Sequence, residues 1–182
     1  MTPFVSGRRY AALTGAAGEY YVAAELSRRG WAASITPKGV ERSDVLAQRV
    51  DTGRVVAVQV KTCAKGPNFQ LSPKNEQLTV ATNEWFALVK LSEDEDGRPT
   101  FYLVPRNLIA TYCYVSYRLW FDAPGRGGRP HRESSIRSVR PEDFAHYQDA
   151  WDLLAKPTDA VEEHLPERIR DGLGVYGPPR DP

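Results

Sequence analysis

The sequence predicts an α/β protein on three observations. Residues 12–29 have the apolar spacing of a helix, residues 43–62 have the pattern of a two-stranded hairpin, and residues 85–91 and 101–104 are apolar runs typical of strands. The 182 residues are 41% hydrophobic and 26% charged, which is ordinary for a globular chain. This composition argues against a disordered chain, a collagen and a disulfide scaffold.

Length and charge place bounds on the class of protein. We predict one domain over residues 1–155 and an acidic, proline-containing C-terminal tail over residues 156–182. The net charge of +1 divides into +5 for residues 1–80, +2 for 81–140 and −6 for 141–182. Two interpretations stay open: the acidic end is solvated surface, or the basic first part meets a negatively charged partner while the tail faces away.

Residues 12–29 form the first predicted helix. Arg28 and Arg29 place cations in its last turn, and Gly30 suits a left-handed cap. Counting by three, four and seven from Glu19 along this helix reaches only small or apolar residues. A carboxylate in the middle of such a stripe would face the sheet, and therefore needs a cation, a metal or hydrogen-bond donors. A strand over residues 31–36 follows.

The predicted hairpin pairs residues 43–50 with residues 54–62. With a turn at Thr52-Gly53, paired positions sum to 105, so that Asp44 lies opposite Lys61. Gln59 shares their face because side chains on a strand repeat every two residues, and a slip of one residue would separate Asp44 from this group. The opposite face carries three valines that can pack inward, at positions 56, 58 and 60.

The remaining pattern predicts two strands and several helices. Ser72 and Pro73 favour a short helix within residues 73–82, before the strands at 85–91 and 101–104. Residues 106–121 suit a strand by composition, but their apolar residues fall on one helix face, so we favour a helix. A Gly/Arg-rich loop over 122–135 precedes a helix over 141–154, whose apolar stripe is Phe144, Tyr147, Trp151 and Leu154.

Glu19, Asp44, Gln59 and Lys61 together have the chemistry of a hard-cation site. Magnesium prefers oxygen ligands and usually takes one or two carboxylates. Gln59 offers a neutral carbonyl oxygen, and the main-chain carbonyl of Val60 offers another. A lysine beside such an ion can orient or deprotonate an attacking water and offset charge in the transition state.

These residues resemble the PD-(D/E)xK nuclease superfamily, whose fold is restriction-endonuclease-like. Residues 15–30 are similar to its first helix, Ser43-Asp44-Val45 to its metal-binding aspartate, and Val58-Gln59-Val60-Lys61 to its (E/Q)xK strand. The order of elements is most similar to archaeal Holliday junction resolvases and related small bacterial nucleases. The resemblance covers about residues 12–105.

The resemblance implies a mixed central sheet of about five strands flanked by helices, and cleavage of DNA phosphodiester bonds with Mg²⁺ or Mn²⁺. It implies that Asp44 and Glu19 are metal ligands and that Lys61 is the catalytic lysine. Gln59 stands at the usual acidic position, a loss of charge that should weaken metal binding. Without the resemblance, Asp44 and Lys61 read equally well as an ordinary cross-strand ion pair.

Several cations are candidates for contacts with DNA phosphates. Lys38, Arg42 and Lys65 lie on predicted loops beside the site, and Arg126 and Arg129 lie on the glycine-rich loop. The first three are equally compatible with solvated loop charges, and for the glycine-rich loop a plain surface role is nearly as well supported. The aromatic residues at 112–120 suit stacking on bases, although packing in the core or in a dimer is favoured.

The functional prediction is a metal-dependent deoxyribonuclease that acts on duplex or branched DNA, as a homodimer because cleavage of two strands often uses two symmetric sites. One rival is a catalytically inactive nucleic-acid-binding or protein-interaction module on the same fold. Another is a toxin–antitoxin or defence subunit that needs a partner. Residues 1–5 lack the apolar core of an export signal, no run reaches the roughly 18–20 residues of a membrane span, and Cys63 and Cys113 need not meet, which predicts a cytoplasmic protein.

Overall fold

A five-stranded mixed sheet lies at the centre of the fold. The computed structural model describes residues 7–94, 96–158 and 162–179. Residues 1–5 and, within the predicted tail, residues 159–161 and 180–182 therefore lie outside the described part. In chain order the strands are β1 (Trp31–Ile35), β2 (Val45–Arg49), β3 (Val55–Cys63), β4 (Phe69–Leu71), β5 (Glu84–Lys90), β6 (Thr100–Pro105) and β7 (Arg137–Val139). The α-helices are α1 (Gly7–Arg28), α2 (Arg106–Asp122) and α3 (Glu167–Tyr176).

The strand order in the central sheet is β1-β2-β3-β5-β6. Only the β3–β5 pair in this sheet is parallel, and β4 and β7 form a separate antiparallel ribbon. These findings confirm the predicted mixed α/β class and the five-stranded central sheet flanked by helices.

Two apolar cores lie on opposite faces of the sheet. Alternate residues of β5 divide between them, with Phe86 and Leu88 in one core and Trp85 and Val89 in the other. Because both faces are covered, the central strand is a continuous apolar run instead of an alternating one. The core beneath α2 also takes Ile169 from α3, while the core beneath α1 takes the β3 valines.

The predicted inward valines are confirmed. Val56 and Val58 are fully buried and Val60 is 7% exposed, and all three belong to the same apolar core as Val22 and Leu26 of α1. The helix can approach β3 closely because its Gly18 has no Cβ, and one placed there would lie 1.9 Å from Thr62 Oγ1.

The predicted register of the hairpin is wrong by two positions. Observed partners such as Val45 and Val58 sum to 103, because residues 50–53 form a four-residue loop closed by Arg49 and Arg54. A two-residue type I′ turn at 52–53 needs positive φ at both positions, and a β-branched threonine disfavours positive φ. Gly53 alone in this loop has positive φ, at 72°. Within the paired residues 45–48 and 55–58, an even shift preserves which side chains share a face.

The helix predicted over residues 141–154 is also wrong as one continuous element. Two 3-10 segments, Pro141–Tyr147 and Trp151–Ala155, are separated at Asp149. The φ of Asp149 is +50°, and its N–H donates to Phe101 O at 2.8 Å. A bridge to β6 at residue 148 therefore competes with helical hydrogen bonding. The predicted stripe nevertheless points inward, since its four residues Phe144, Tyr147, Trp151 and Leu154 are all buried.

The other helical predictions are met in part. Residues 106–121 are helical within α2, as favoured, while only Pro73–Glu76 of the segment 73–82 forms a 3-10 turn. The domain boundary at residue 155 stays a prediction. Both cysteines are buried and free, and none of the helices in the described ranges is long and apolar enough to cross a bilayer.

Candidate active site at the open edge of β3

Asp44 lies where the pairing between β2 and β3 stops. The ladder ends at Val45 and Val58, so the later residues of β3 have no partner from β2. Asp44 N–H donates to Val58 O at 2.9 Å. Asp44 and Val45 therefore both lie opposite Val58, as in a β-bulge. The Asp44 carboxylate then takes the place of a strand partner, and its Oδ2 accepts the Val60 N–H at 2.7 Å.

The main-chain carbonyl of Val60 faces the same edge. In an antiparallel pair, a residue's N–H and C=O point to the same neighbouring strand, because paired residues exchange both hydrogen bonds. Since the Val60 N–H meets Asp44, the Val60 carbonyl is directed to that side as well. The open edge therefore offers one carboxylate and one peptide oxygen.

Glu19 adds a second carboxylate from α1. Its side chain is half-buried, next to Gly18 where the helix contacts β3. Burial raises the pKa of Glu19, the Asp44 charge raises it further, and the charges of Lys38 and Lys61 act in the opposite direction. Four predicted site residues are thus close enough for their charges to interact.

We expect Glu19→Gln to stabilise the protein slightly at neutral pH, by less than about 1 kcal/mol because the carboxylate is only half-buried and solvent screens its charge. The folded state holds the Glu19 proton more tightly, so its stability falls as pH rises from the ordinary glutamate pKa of 4.5 through the raised value. The variant should lose this fall, and its advantage should vanish at lower pH. Thermal unfolding at a series of pH values measures the difference.

Glu25 provides a control of opposite sign on the same helix. Burial alone would raise its pKa, but hydrogen bonds and charge from Arg29 and Arg28 lower it overall. Glu25→Gln should therefore cost stability at neutral pH, with the cost fading as pH falls through the range of the lowered pKa. Equal behaviour of the two variants would contradict the assignment for Glu19.

Gln59 is held by two donors. Its Oε1 accepts Asn75 Nδ2 at 3.3 Å and Arg106 Nη2 at 3.2 Å. Asn75 is itself fixed by the 3-10 turn, since its Oδ1 accepts the Ser72 N–H at 3.0 Å. With both contacts in place, the side-chain oxygen of Gln59 is turned towards α2 and away from a role as a free ligand.

Arg106 is a buried cation that sequence reasoning missed. Its side chain is 1% exposed, pairs with Glu84 at 2.6 Å and donates to the Arg42 carbonyl at 2.7 Å. Burial lowers the pKa of Arg106, and the Glu84 charge opposes that shift. One signal was available: a cation as first residue of a helix opposes the helix dipole and so calls for an anionic partner. The network ties α2, β3, β5 and the loop before Asp44 together.

The predicted cations do not all gather here. Lys61 is half-buried and makes no hydrogen bond or ion pair with any residue in the described ranges. Lys38 and Lys65 are exposed, and Arg42 donates to Gln77 Oε1 at 3.2 Å. Arg126 and Arg129 follow the far end of α2, whose 17 residues span about 25 Å from Arg106.

Comparison with known proteins gives one structural likeness. The solved structure of a bacterial homing endonuclease, I-Ssp6803I, is similar with a TM-score of 0.44 and 20% sequence identity, over 79% of this chain and 89% of that chain. No family model and no curated protein matches the sequence.

Proposed function

We propose that this protein is a divalent-metal-dependent DNA endonuclease that hydrolyses phosphodiester bonds. Two observations support it: the Asp44 carboxylate lies at the open edge of β3, and Asp44 and Lys61 are both near enough to Glu19 for their charges to shift its pKa. A carboxylate whose pKa is raised by a neighbouring carboxylate favours a cation between the two.

The donor set fits Mg²⁺ or Mn²⁺ better than a thiolate- or imidazole-bound metal. Asp44, Glu19 and the Val60 carbonyl would hold the ion, so that its protein ligands would all be oxygen atoms. Among the residues that the structure describes, no group of three or more His, Cys, Asp or Glu side chains is placed to bind a metal. Magnesium is commonly bound by one or two carboxylates, with waters completing its shell. When bound, such an ion polarises the phosphodiester and stabilises the leaving oxygen.

The protein's own residues supply the remaining functions. Lys61 Nζ would donate hydrogen bonds to the attacking water and to a non-bridging phosphate oxygen, and it has no competing partner within the described ranges. Gln59 would act as a positioning residue, because its oxygen is already bound by Arg106 and Asn75. Its bond to Arg106 would hold β3 in place against α2, so that the Lys61 side chain stays close to the Asp44 carboxylate.

DNA is the proposed substrate. Lys38 is near enough to Glu19 for its charge to act on the Glu19 pKa. Lys38, Arg42 and Lys65 would contact phosphates, which requires no base-specific geometry. Arg126 and Arg129 would contact the backbone only at a distance from the scissile bond. A symmetric dimer that cuts both strands stays a prediction, as does a cytoplasmic location.

An inactive nucleic-acid-binding module on the same fold is the second candidate. One observation favours it. Gln59 stands where the nuclease superfamily that the sequence resembles carries a third acid, and the side-chain oxygen of Gln59 already accepts hydrogen bonds from two donors of the protein. Such a module would bind DNA through the same cations without holding the metal.

A cleavage assay separates the two candidates. Supercoiled plasmid and a four-way junction are incubated with the full chain and Mg²⁺, Mn²⁺ or chelator. We expect nicking only with metal, and a loss of about 100-fold or more in Lys61→Met. Lys65→Met is the matched control, since Lys65 is exposed on the following loop, and it should change DNA affinity without abolishing cleavage.

The outcomes are distinct. Metal-dependent nicking lost in Lys61→Met supports the endonuclease. DNA binding without cleavage under any metal, with calorimetry detecting no Mn²⁺ binding at millimolar concentration, supports the inactive module instead.

A further inference from the structure

A second concave site lies away from the open edge of β3. A cavity of about 500 Å³ opens between α2, α3, β7 and the segment that precedes β7, which includes Ser134 and Ile136. This volume falls within the usual range of small-molecule pockets, about 300–1,000 Å³. Its wall combines aromatic rings, hydroxyl groups and guanidinium groups, among them those of Tyr117, Trp120, Ser134, Ser138, Arg140 and Arg168.

The aromatic part of the wall is accessible. Trp120 is 40% exposed, whereas the tryptophans at positions 31, 85 and 151 are 5% exposed or less. Its ring lies beside those of Tyr117 and His131, at 5.7 and 4.2 Å between centroids. An exposed indole at the wall of a concave site offers a face on which a planar ring can stack.

Of the three arginines in the cavity wall, two are ion-paired and one, Arg140, has no ion-pair partner in the described part of the chain. Arg168 is bound to Asp143 and to the Tyr112 hydroxyl, and Arg137 is ion-paired with Glu76. Arg140 lines the same cavity, is exposed, and its side chain makes no hydrogen bond or ion pair with a residue in the described part of the chain. An anion that entered would find this guanidinium available for a bidentate contact.

Hydroxyl groups complete the wall. Ser138 Oγ accepts Asn68 Nδ2 at 3.0 Å, which leaves its own O–H to donate. Ser134 Oγ accepts the Ile136 N–H at 3.1 Å and likewise keeps a donor. Such groups match the carbonyl and imino acceptors at the edge of a nucleobase.

We infer that this cavity binds one nucleotide unit, with its base against Trp120 and its phosphate on Arg140. The inference goes beyond the proposed phosphodiester site and does not rest on it. The same chemistry is present in a free nucleoside monophosphate and in an unpaired nucleotide of a strand. The 3-10 turn Pro73–Glu76 links the two sites, because Asn75 contacts Gln59 and Glu76 contacts Arg137.

Trp120 provides the measurement. Acrylamide quenching of tryptophan fluorescence reports mainly on the exposed indole, since the other three are buried. With chelator present and no metal, dAMP should protect Trp120 from quenching at lower concentration than deoxyadenosine, by about tenfold, because a charge-assisted hydrogen bond adds to stacking. Inorganic phosphate alone should give little protection.

Arg140→Gln tests the phosphate contact. It should weaken dAMP binding about tenfold and leave deoxyadenosine unchanged. Arg132→Gln is the matched control, since Arg132 is an exposed arginine outside the cavity wall, and it should change neither. Calorimetry with Trp120→Ala should show weakened binding of both ligands, independent of the fluorescence signal.

The source of the nucleotide is distinguished by comparing dAMP with a short single-stranded oligonucleotide and a blunt duplex. Protection by dAMP points to a free nucleotide, and protection by the oligonucleotide alone points to an unpaired nucleotide of a strand. Absence of protection by both at millimolar concentration, or equal effects of Arg140→Gln and Arg132→Gln, overturns the inference. Cleavage is not measured, so this failure would leave the proposed nuclease activity untouched.

Discussion

Asp44→Asn is expected to lose metal-dependent cleavage by about 100-fold or more while the fold remains intact. Asparagine retains a side-chain oxygen that can accept the Val60 N–H, so the bulge before β2 should persist. What the substitution removes is the negative charge beside Glu19, and with it one of the two carboxylates available to a divalent ion. Initial rates of plasmid nicking across a Mn²⁺ titration measure the effect.

Asp51→Asn is the matched control for this experiment. Asp51 lies on the loop of the same hairpin, is exposed, and pairs with Arg49 at 3.0 Å. It should cleave at the wild-type rate. Higher Mn²⁺ should restore part of the activity of Asp44→Asn if the defect lies in metal affinity. Wild-type cleavage by Asp44→Asn at every metal concentration would remove Asp44 from the site.

Arg106→Met is expected to destabilise the protein by about 3 kcal/mol. The substitution leaves the Glu84 carboxylate without its cation and removes donors from Gln59 and from the Arg42 carbonyl. Breaking a buried pair from one side is costly because a charge remains without a partner. Urea unfolding followed by circular dichroism measures the loss as a lower transition midpoint.

The double variant Arg106→Met/Glu84→Gln isolates the charge effect. It should be more stable than Arg106→Met alone, because the unpaired carboxylate is gone. Arg118→Met serves as the surface control, since Arg118 is exposed on the same helix, and it should stay within about 0.5 kcal/mol of wild type. A double variant less stable than the single variant would show that the pair is not the main contribution of Arg106.

Sequence patterns were sufficient for the parts of the site that depend on periodicity. The two-residue repeat of a strand placed Val56 and Val58 in the core and Gln59 on the other face, whatever the length of the turn. The helical repeat identified Glu19 as a carboxylate on the packed side of α1. Each result depends only on spacing within one element.

Contacts between distant segments were beyond these patterns. The Gln59–Arg106 bond joins residues 47 positions apart, and no periodicity relates a strand to the start of a later helix. The predicted register of the hairpin was wrong because Thr52 disfavours a two-residue turn, and the chain forms the four-residue loop 50–53 instead. The break at Asp149 arose from a bond to β6, a tertiary interaction that overrides helical propensity.

The Arg106 network also imposes an order of assembly during synthesis. Glu19 and the hairpin leave the ribosome well before residue 106, yet Gln59 and the loop before Asp44 depend on that guanidinium for their final placement. A nascent chain that ends before α2 therefore carries the acids and the lysine without the part that locks them. The proposed active site would then be completed late in translation, when most of the domain already exists.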